Sequence, residues 1–406
     1  MRAAFSPRNS LEDPTMPLSS SGILDFIGGG ANKTHAGVSV TEKKALGLPA
    51  VWQAVNLIAG TAASLPLHAY REDAAGTPER LRSGRAADLL ENPHPDLTDY
   101  ELWEMVYAHI ALWGNAYLRK LTKPSFGTFP AELWPIHPSR VMVGRESETG
   151  SKIYAVDGGK EIHTDETLLH IPGFGYDGIC GVSPIRAARQ GLGVALAAEE
   201  FGGKFFGNGT LATGILQTEQ RLSSEQADAL HARWKAKRAG LQGAHETIIL
   251  DSGAQFHQLT IPPDDAQFLE TRQFQVTEIA RLFGIPPHML MDTQKSTSWG
   301  TGIEQQTIGF VVYTLRRWLT RVERRLTREM RPQGAYAKYA LEGLLRGDSA
   351  QRAAFYKALW DIGALSSNEI RALEERGPVE GGDTYYRPLN MGALGTFDTQ
   401  TTGVPA

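Results

Sequence analysis

Three groups of residues in this chain have types and spacings that can do chemistry. His163, Asp165, Glu166 and His170 crowd imidazoles and carboxylates into one short run, the donor set a metal-dependent hydrolase would use. Arg317, Arg321, Arg324 and Arg328 recur at spacings of four, three and four, so on a helix their guanidinium groups share one stripe. Such a stripe can pair with acids on a neighbouring subunit, lie along DNA phosphates, or be a solvated face. Thr293, Gln294, Lys295, Ser296, Thr297 and Ser298 form a polar, mildly positive run. It can touch a phosphate backbone without reading bases, or be an ordinary exposed loop.

Other motif comparisons fail on spacing. Gly28-Gly29-Gly30-Ala31-Asn32-Lys33-Thr34 has Asn where a phosphate-binding loop needs Gly before Lys, with no strand before it or helix after it. Gly173-Phe174-Gly175-Tyr176-Asp177-Gly178 lacks the dinucleotide spacing and reads as a flexible connection. The HTDETLLHI run reads as a turn entering a strand, where His163 and His170 need not converge. No HExxH pattern supports a metal there. There is no G-x-S-x-G elbow, and Asp264-Asp265 read as a helix start. No catalytic residue, metal ligand or cofactor is assigned.

Composition narrows the class. The chain has 406 residues, 41 Lys+Arg against 45 Asp+Glu and a net charge of −4, which argues against a tight, general nucleic-acid binder. Residues 304–331, with seven Arg and three Glu, are locally basic. A single cysteine, Cys180, excludes a disulfide framework within the chain. No apolar run reaches the ~20 residues of a membrane span, and the N-terminus lacks a signal-peptide core, so neither membrane insertion nor secretion is expected.

The elements that must position these groups read as α+β. Residues 1–47 lack apolar periodicity and are expected to be a flexible arm. Val51, Val55, Ile58, Ala62 and Leu65 make a helical stripe that Pro66 stops, and residues 67–70 follow as a strand. Thr98 and Glu101 form a capping box for a helix that Gly114 ends. Strands are expected over 116–121, 132–136, 141–143, 153–156 and 167–171. Long helices begin at Pro184. One runs over 185–206, another over 268–283, and between them lies a small unit. That unit holds a strand at 213–218, a helix capped by Ser223 and Gln226, and strands at 246–250 and 255–261 expected to pair across Asp251-Ser252-Gly253. The longest helical pattern, 304–330, carries Val311, Leu315, Trp318, Val322, Leu326 and Met330 on one face beside the arginine stripe. A last helical stretch, 349–376, restarts at Ser366-Ser367-Asn368 before Glu369. The tail after residue 390 is small and polar.

Several runs fall in an order that resembles the bacteriophage portal protein family, of the type with long non-contractile tails. They include AVWQAVNLIAGTAASLP (50–66), LLENPHP (89–95), LWGNAYL (112–118), ELWPIHPSRV (132–141), LLHIPGFGYDGICGVSPI (168–185), FFGNGTLATGIL (205–216), DAQFLETRQFQVTEIARLFGIPPHML (265–290) and NEIRALEERGPVEGGD (368–383). The resemblance implies a portal fold. Its parts would be an arm (1–47), an α+β wing (48–181), stem helices (182–209 and 263–290) around a small α/β clip (210–262), a tunnel loop (291–303), a wing/tunnel helix (304–347), a helical crown (348–390) and a flexible tail (391–406). It implies a ring of twelve copies at one capsid vertex, a conduit for packaging and ejecting double-stranded DNA without sequence specificity. The partners would be the terminase large subunit, the major capsid protein and head-tail connector proteins. The location would be the virion, with assembly in the host cytoplasm. Thr293 to Ser298 with Trp299 would line the channel, the arginine stripe would face the channel or a neighbour, and Arg233, Lys235, Lys237 and Arg238 would face the terminase. A conduit must let DNA slide, and a net acidic chain avoids a bore that holds the duplex through counterion release. The competing readings are the metal-dependent hydrolase and a head-completion adaptor that surrounds no DNA.

Overall fold

The computed structural model describes residues 34–207 (75, 147 and 148 excepted), 214–217, 223–237, 255–258, 265–291, 306–341 and 349–386 (375 excepted). Two compact units divide at Ala340–Leu341.

The first unit is built on a helix pair. Helix α1 (Glu42–Ala45) precedes α2 (Pro49–Ala63), whose Pro49 at the first turn is preset for a helix. Strands β1 (Leu67–Glu72) and β2 (Pro78–Arg80) follow, then α3 (Arg85–Glu91) and α4 (Asp99–Trp113). The capping box at Thr98 and Glu101 is formed, and Gly114 closes α4 in the left-handed conformation, φ 74°. Val51, Val55, Ile58 and Ala62 of α2 pack on α4, which buries Leu102, Val106, Tyr107 and Ile110. Each fully buried apolar side chain contributes roughly 1.5–3 kcal/mol, so this pair contributes substantially to stability.

Strands β3 (Asn115–Leu121), β4 (Glu132–Ile136), β5 (Val141–Arg145), β6 (Lys152–Val156), β7 (Glu161–Thr164) and β8 (Leu168–Pro172) form two antiparallel sheets, ordered β4-β3-β8 and β5-β6-β7. Tyr117, Ile136, Tyr154, Val156 and Leu168 share a core between them.

Residues 34–47 depart from the expected arm. Val40 and Ala45 are buried, Glu42 pairs with Arg186 at 3.0 Å, and the His35 N–H donates to Gln190. Their polar character hid two buried apolar anchors, too few to show periodicity.

The helix expected over 185–206 is broken. Helix α5 (Pro184–Ala187), capped by Ser183, is separated at Ala188 from α6 (Arg189–Gly207). Beyond it lie β9 (Gly214–Gln217), α7 (Ser224–Lys237) and β10 (Gln255–Gln258), then α8 (Asp265–Phe283), which packs on both α6 and α2. Ser223 and Gln226 bond reciprocally at the start of α7. The expected partner of β10 was 246–250, which lies outside the described residues. In the structure β10 pairs antiparallel with β9.

The long C-terminal helix of this unit spans 306–330. A π-helical turn at Phe310–Leu315 leads into α9 (Arg316–Met330). The Thr314 hydroxyl donates to the Gly284 carbonyl just past α8. Leu319, Val322, Leu326 and Met330 are buried, whereas Trp318 is only half-buried. The π turn changes the residues per turn upstream, and Leu319 rather than Trp318 takes the inward position. Strand β11 (Tyr336–Tyr339) then pairs antiparallel with β1, and the Tyr107 hydroxyl donates to the Tyr339 hydroxyl at 2.9 Å.

The second unit contains α10 (Ser349–Asp361) and α11 (Ser367–Leu373). Ser366 and Glu369 form a capping box where the helical restart was expected. The Asn368 amide donates to Val379 O and accepts from Val379 N–H, holding the 377–383 segment against α11.

Candidate functional site

The joint between the sheet and α6 is held by main chain. Gly114, Gly173 and Gly181 come together so closely that the Gly173 N–H donates to Gly114 O at 2.7 Å, and a Cβ on Gly181 would overlap that same oxygen. Only glycine fits such an approach. Asn115, next in sequence to Gly114, locks it. Its Nδ2 donates to Gly181 O at 2.7 Å and Trp113 O at 3.1 Å, while its Oδ1 accepts from Gly181 N–H at 2.7 Å and from His170 Nε2 at 2.9 Å. The side-chain amide therefore pairs with the Gly181 residue as a neighbouring strand would. Asp177 Oδ1 accepts from the Ile179 and Cys180 N–H groups, and Ser183 donates to Leu112 O at 2.6 Å. The Gly173–Gly178 run, expected as a flexible connection, is pinned through Gly173, Phe174 and Asp177. Gly and Asp suggested freedom in the sequence, but here they permit close contact.

Because Gly181 fixes Oδ1 as the acceptor, His170 must carry its proton on Nε2. Nδ1 is then a buried lone pair with no partner among the described residues, on a ring only 2 % exposed. Burial, with help from Lys152 and Arg325, holds this imidazole well below its ordinary range and keeps it neutral. Burial likewise pushes the Cys180 thiol up to about 12, which leaves it unreactive.

The hydrolase cluster is dispersed. His163 bonds Thr167 and Glu161, His170 bonds Asn115 and stacks on Tyr117, and Asp165 accepts from Tyr154 at 2.6 Å. Among the described residues no three His, Cys, Asp or Glu side chains gather as a metal site, and no helix is long and apolar enough to cross a membrane.

The arginine stripe is present but divided. Helix α9 turns one side inward: Glu323 and Thr327 accept from β11 N–H groups, and Glu329 pairs with Lys120 of β3 at 2.8 Å. On another side, Arg321 is half-buried and donates to Gly173 O at 2.7 Å, tying α9 to the glycine joint. Burial and then Arg317 lower its pKa. Arg317, Arg324 and Arg328 are exposed. Sequence spacing found the stripe, but nothing in it marked Arg321 as structural, because the Gly173 carbonyl is distant in sequence.

Residues 293–299 and Arg238 lie outside the described residues. Arg233, Lys235 and Lys237 belong to α7. The surface near the helical arms carries large apolar side chains: Val194 on α6, Phe274 on α8, Ile308, Val312 and Tyr313 around the π turn, and Phe174 on the glycine segment. Exposed apolar side chains also occur elsewhere, among them Trp52, Met142 and Ile162, so those on the arms are one part of a wider set.

The model of the family described as phage portal protein matches residues 49–375. The chain is 34% identical to the probable portal protein of Streptomyces phage phiC31, over 89% of this chain and 82% of the relative. It is also 34% identical to the portal protein of Enterobacteria phage HK97, over 86% of this chain and 83% of that protein. Among solved structures it is similar to a chain in the neck of an empty gene transfer agent particle computed with C6 symmetry. That match has a TM-score of 0.56, 25% identity, and covers 83% of this chain and 94% of the other. A crystal structure of an HK97-family phage portal protein from Corynebacterium diphtheriae matches in fold, with a TM-score of 0.58 at 16% identity, over 79% of this chain and 99% of that one.

Proposed function

We propose, from the premise that this chain belongs to the phage portal protein family, that twelve copies close into a ring at one capsid vertex and form the conduit for double-stranded DNA. The family is structural, and this reading contains no catalytic step. Residues 48–181 act as the wing, 182–209 and 263–290 as the stem, 210–262 as the clip, 291–303 as the tunnel loop, 304–347 as the wing/tunnel helix and 348–390 as the crown. The clip, through Arg233, Lys235, Lys237 and Arg238, meets the terminase large subunit. The tunnel loop, through Lys295 and its polar neighbours, brushes the duplex. Major capsid protein and connector proteins dock on the outer parts of the ring.

The observation that carries the ring is the set of exposed apolar residues on both helical arms, Val194, Phe274, Ile308, Val312 and Tyr313. A closed ring needs two different surfaces per copy, joined head to tail, and it covers both in every copy. Packing of α8 on α6 supports a stem of paired helices. Mass photometry and electron microscopy of the purified full chain test it. A ring with a central opening is expected; a strictly monomeric species at all concentrations would overturn it.

A further inference from the structure

We propose that the exposed arginines of α9 dock on an acidic shoulder of the next copy, formed by Asp88, Glu91, Asp96 and Asp99, rather than on DNA. This deepens the ring reading and rests on it. Arg317, Arg321, Arg324 and Arg328 lie within about 60° of one another around the helix and span about 16 Å of its length. Arg321 is committed to Gly173 O, while Arg317, Arg324 and Arg328 have no ion-pair partner among the described residues. Residues 316–331 hold seven Arg against two Glu.

The complementary surface is on the same chain. Residues 86–104 contain Asp88, Glu91, Asp96, Asp99, Glu101 and Glu104 and no Lys or Arg. Asp88, Glu91, Asp96 and Asp99 are exposed, and they too have no ion-pair partner among the described residues. Among the described residues no ion pair joins the arginines to these acids, so one chain carries two faces of opposite sign, the acidic one bordered by the exposed Arg85 at the start of α3. Joining them between copies is a heterologous contact, the kind that closes a ring.

The neighbours of the arginines decide between protein and DNA. The bond from Arg321 to Gly173 O places Phe174, 72 % exposed, beside the row, and Tyr313, 75 % exposed, lies one turn upstream of Arg317. Arginine with Tyr and Phe is the composition of a protein–protein contact, whereas a phosphate-binding face has no use for an exposed phenyl ring. A dense arginine row along the duplex would also hold it by counterion release and hinder sliding.

The test uses full-length protein and compares ring fractions by mass photometry, with circular dichroism to verify folding. R324E/R328E should lower the ring fraction by about tenfold per interface, since two exposed pairs are reversed. E91R/D96R should do the same, and the four changes combined in one chain should restore rings. In the wild type, raising salt from 0.1 to 1 M should lower the ring fraction, because screening shortens from about 10 Å to 3 Å. Rings that persist in R324E/R328E overturn this pairing and leave the ring reading standing. Loss of rings in both pairs without rescue in the combination also overturns it. Absence of rings in the wild type overturns the ring reading itself. Normal rings with weakened DNA retention in R324E/R328E would assign the row to DNA and refute the proposal.

Discussion

Replacing Asn115 with Ala should be among the most damaging single changes in this protein. The substitution orphans the Gly181 N–H, the Gly181 carbonyl and the His170 Nε2–H, all of which bond the Asn115 amide within 2.9 Å. A buried group left unsatisfied costs about 1–3 kcal/mol. Three would total about 3–9 kcal/mol, and a water entering the vacated space recovers part of it, leaving about 3–6 kcal/mol. That is a large share of the 5–15 kcal/mol that typically holds a domain together. Urea unfolding followed by tryptophan fluorescence measures it, with protein concentration fixed because self-association adds stability by mass action. The expected result is a lower midpoint at an unchanged slope. Asn115→Asp keeps the acceptor for Gly181 N–H and His170 but sets an oxygen against Gly181 O, so it should also fall short of wild type. A loss below about 1 kcal/mol in Asn115→Ala would refute the claim that this amide organises the joint.

Two further outcomes follow from the same geometry. Gly181→Ala places a Cβ on the Gly114 carbonyl oxygen and 2.6 Å from Gly173 N, so it should destabilise at or above the usual 1–3 kcal/mol of overpacking, read as a lower thermal midpoint. His109, buried beside His137, has its pKa pushed down to about 4 by burial and then by that neighbour, so its contribution is complete above pH 6.5 and is lost as pH falls toward 4. By pH 5 this amounts to about 2 kcal/mol. His109→Phe should remove that share of the acid sensitivity, and unfolding at pH 7.5 and pH 5 checks it; an unchanged pH dependence in the variant would refute the assignment.

What the sequence discloses is local. Thr98 with Glu101, Ser223 with Gln226 and Ser366 with Glu369 each signal a helix start that the structure contains, because a capping box is complete within four residues. Gly114 marks a helix end for a similarly local reason. Features decided by distant partners were not legible. Strand β11 exists because Tyr336–Tyr339 finds β1, far back in the chain, and short β7 exists because it lies against β6. The break at Ala188 interrupts a run of good helix formers with no breaker of its own. Within the candidate surfaces, spacing alone placed four arginines on one stripe. It could not separate Arg321, spent on the Gly173 carbonyl, from the three that remain available. The glycine segment misled most, since the residue that permits mobility also permits the tightest packing.

The glycine joint has a mechanical consequence. A push or twist arriving along α6 is delivered to the β3–β8 sheet through peptide groups in direct contact, not through long side chains that can hop between rotamers. Such a coupling yields little before it passes load onward. In the proposed ring, every copy would carry the same stiff joint.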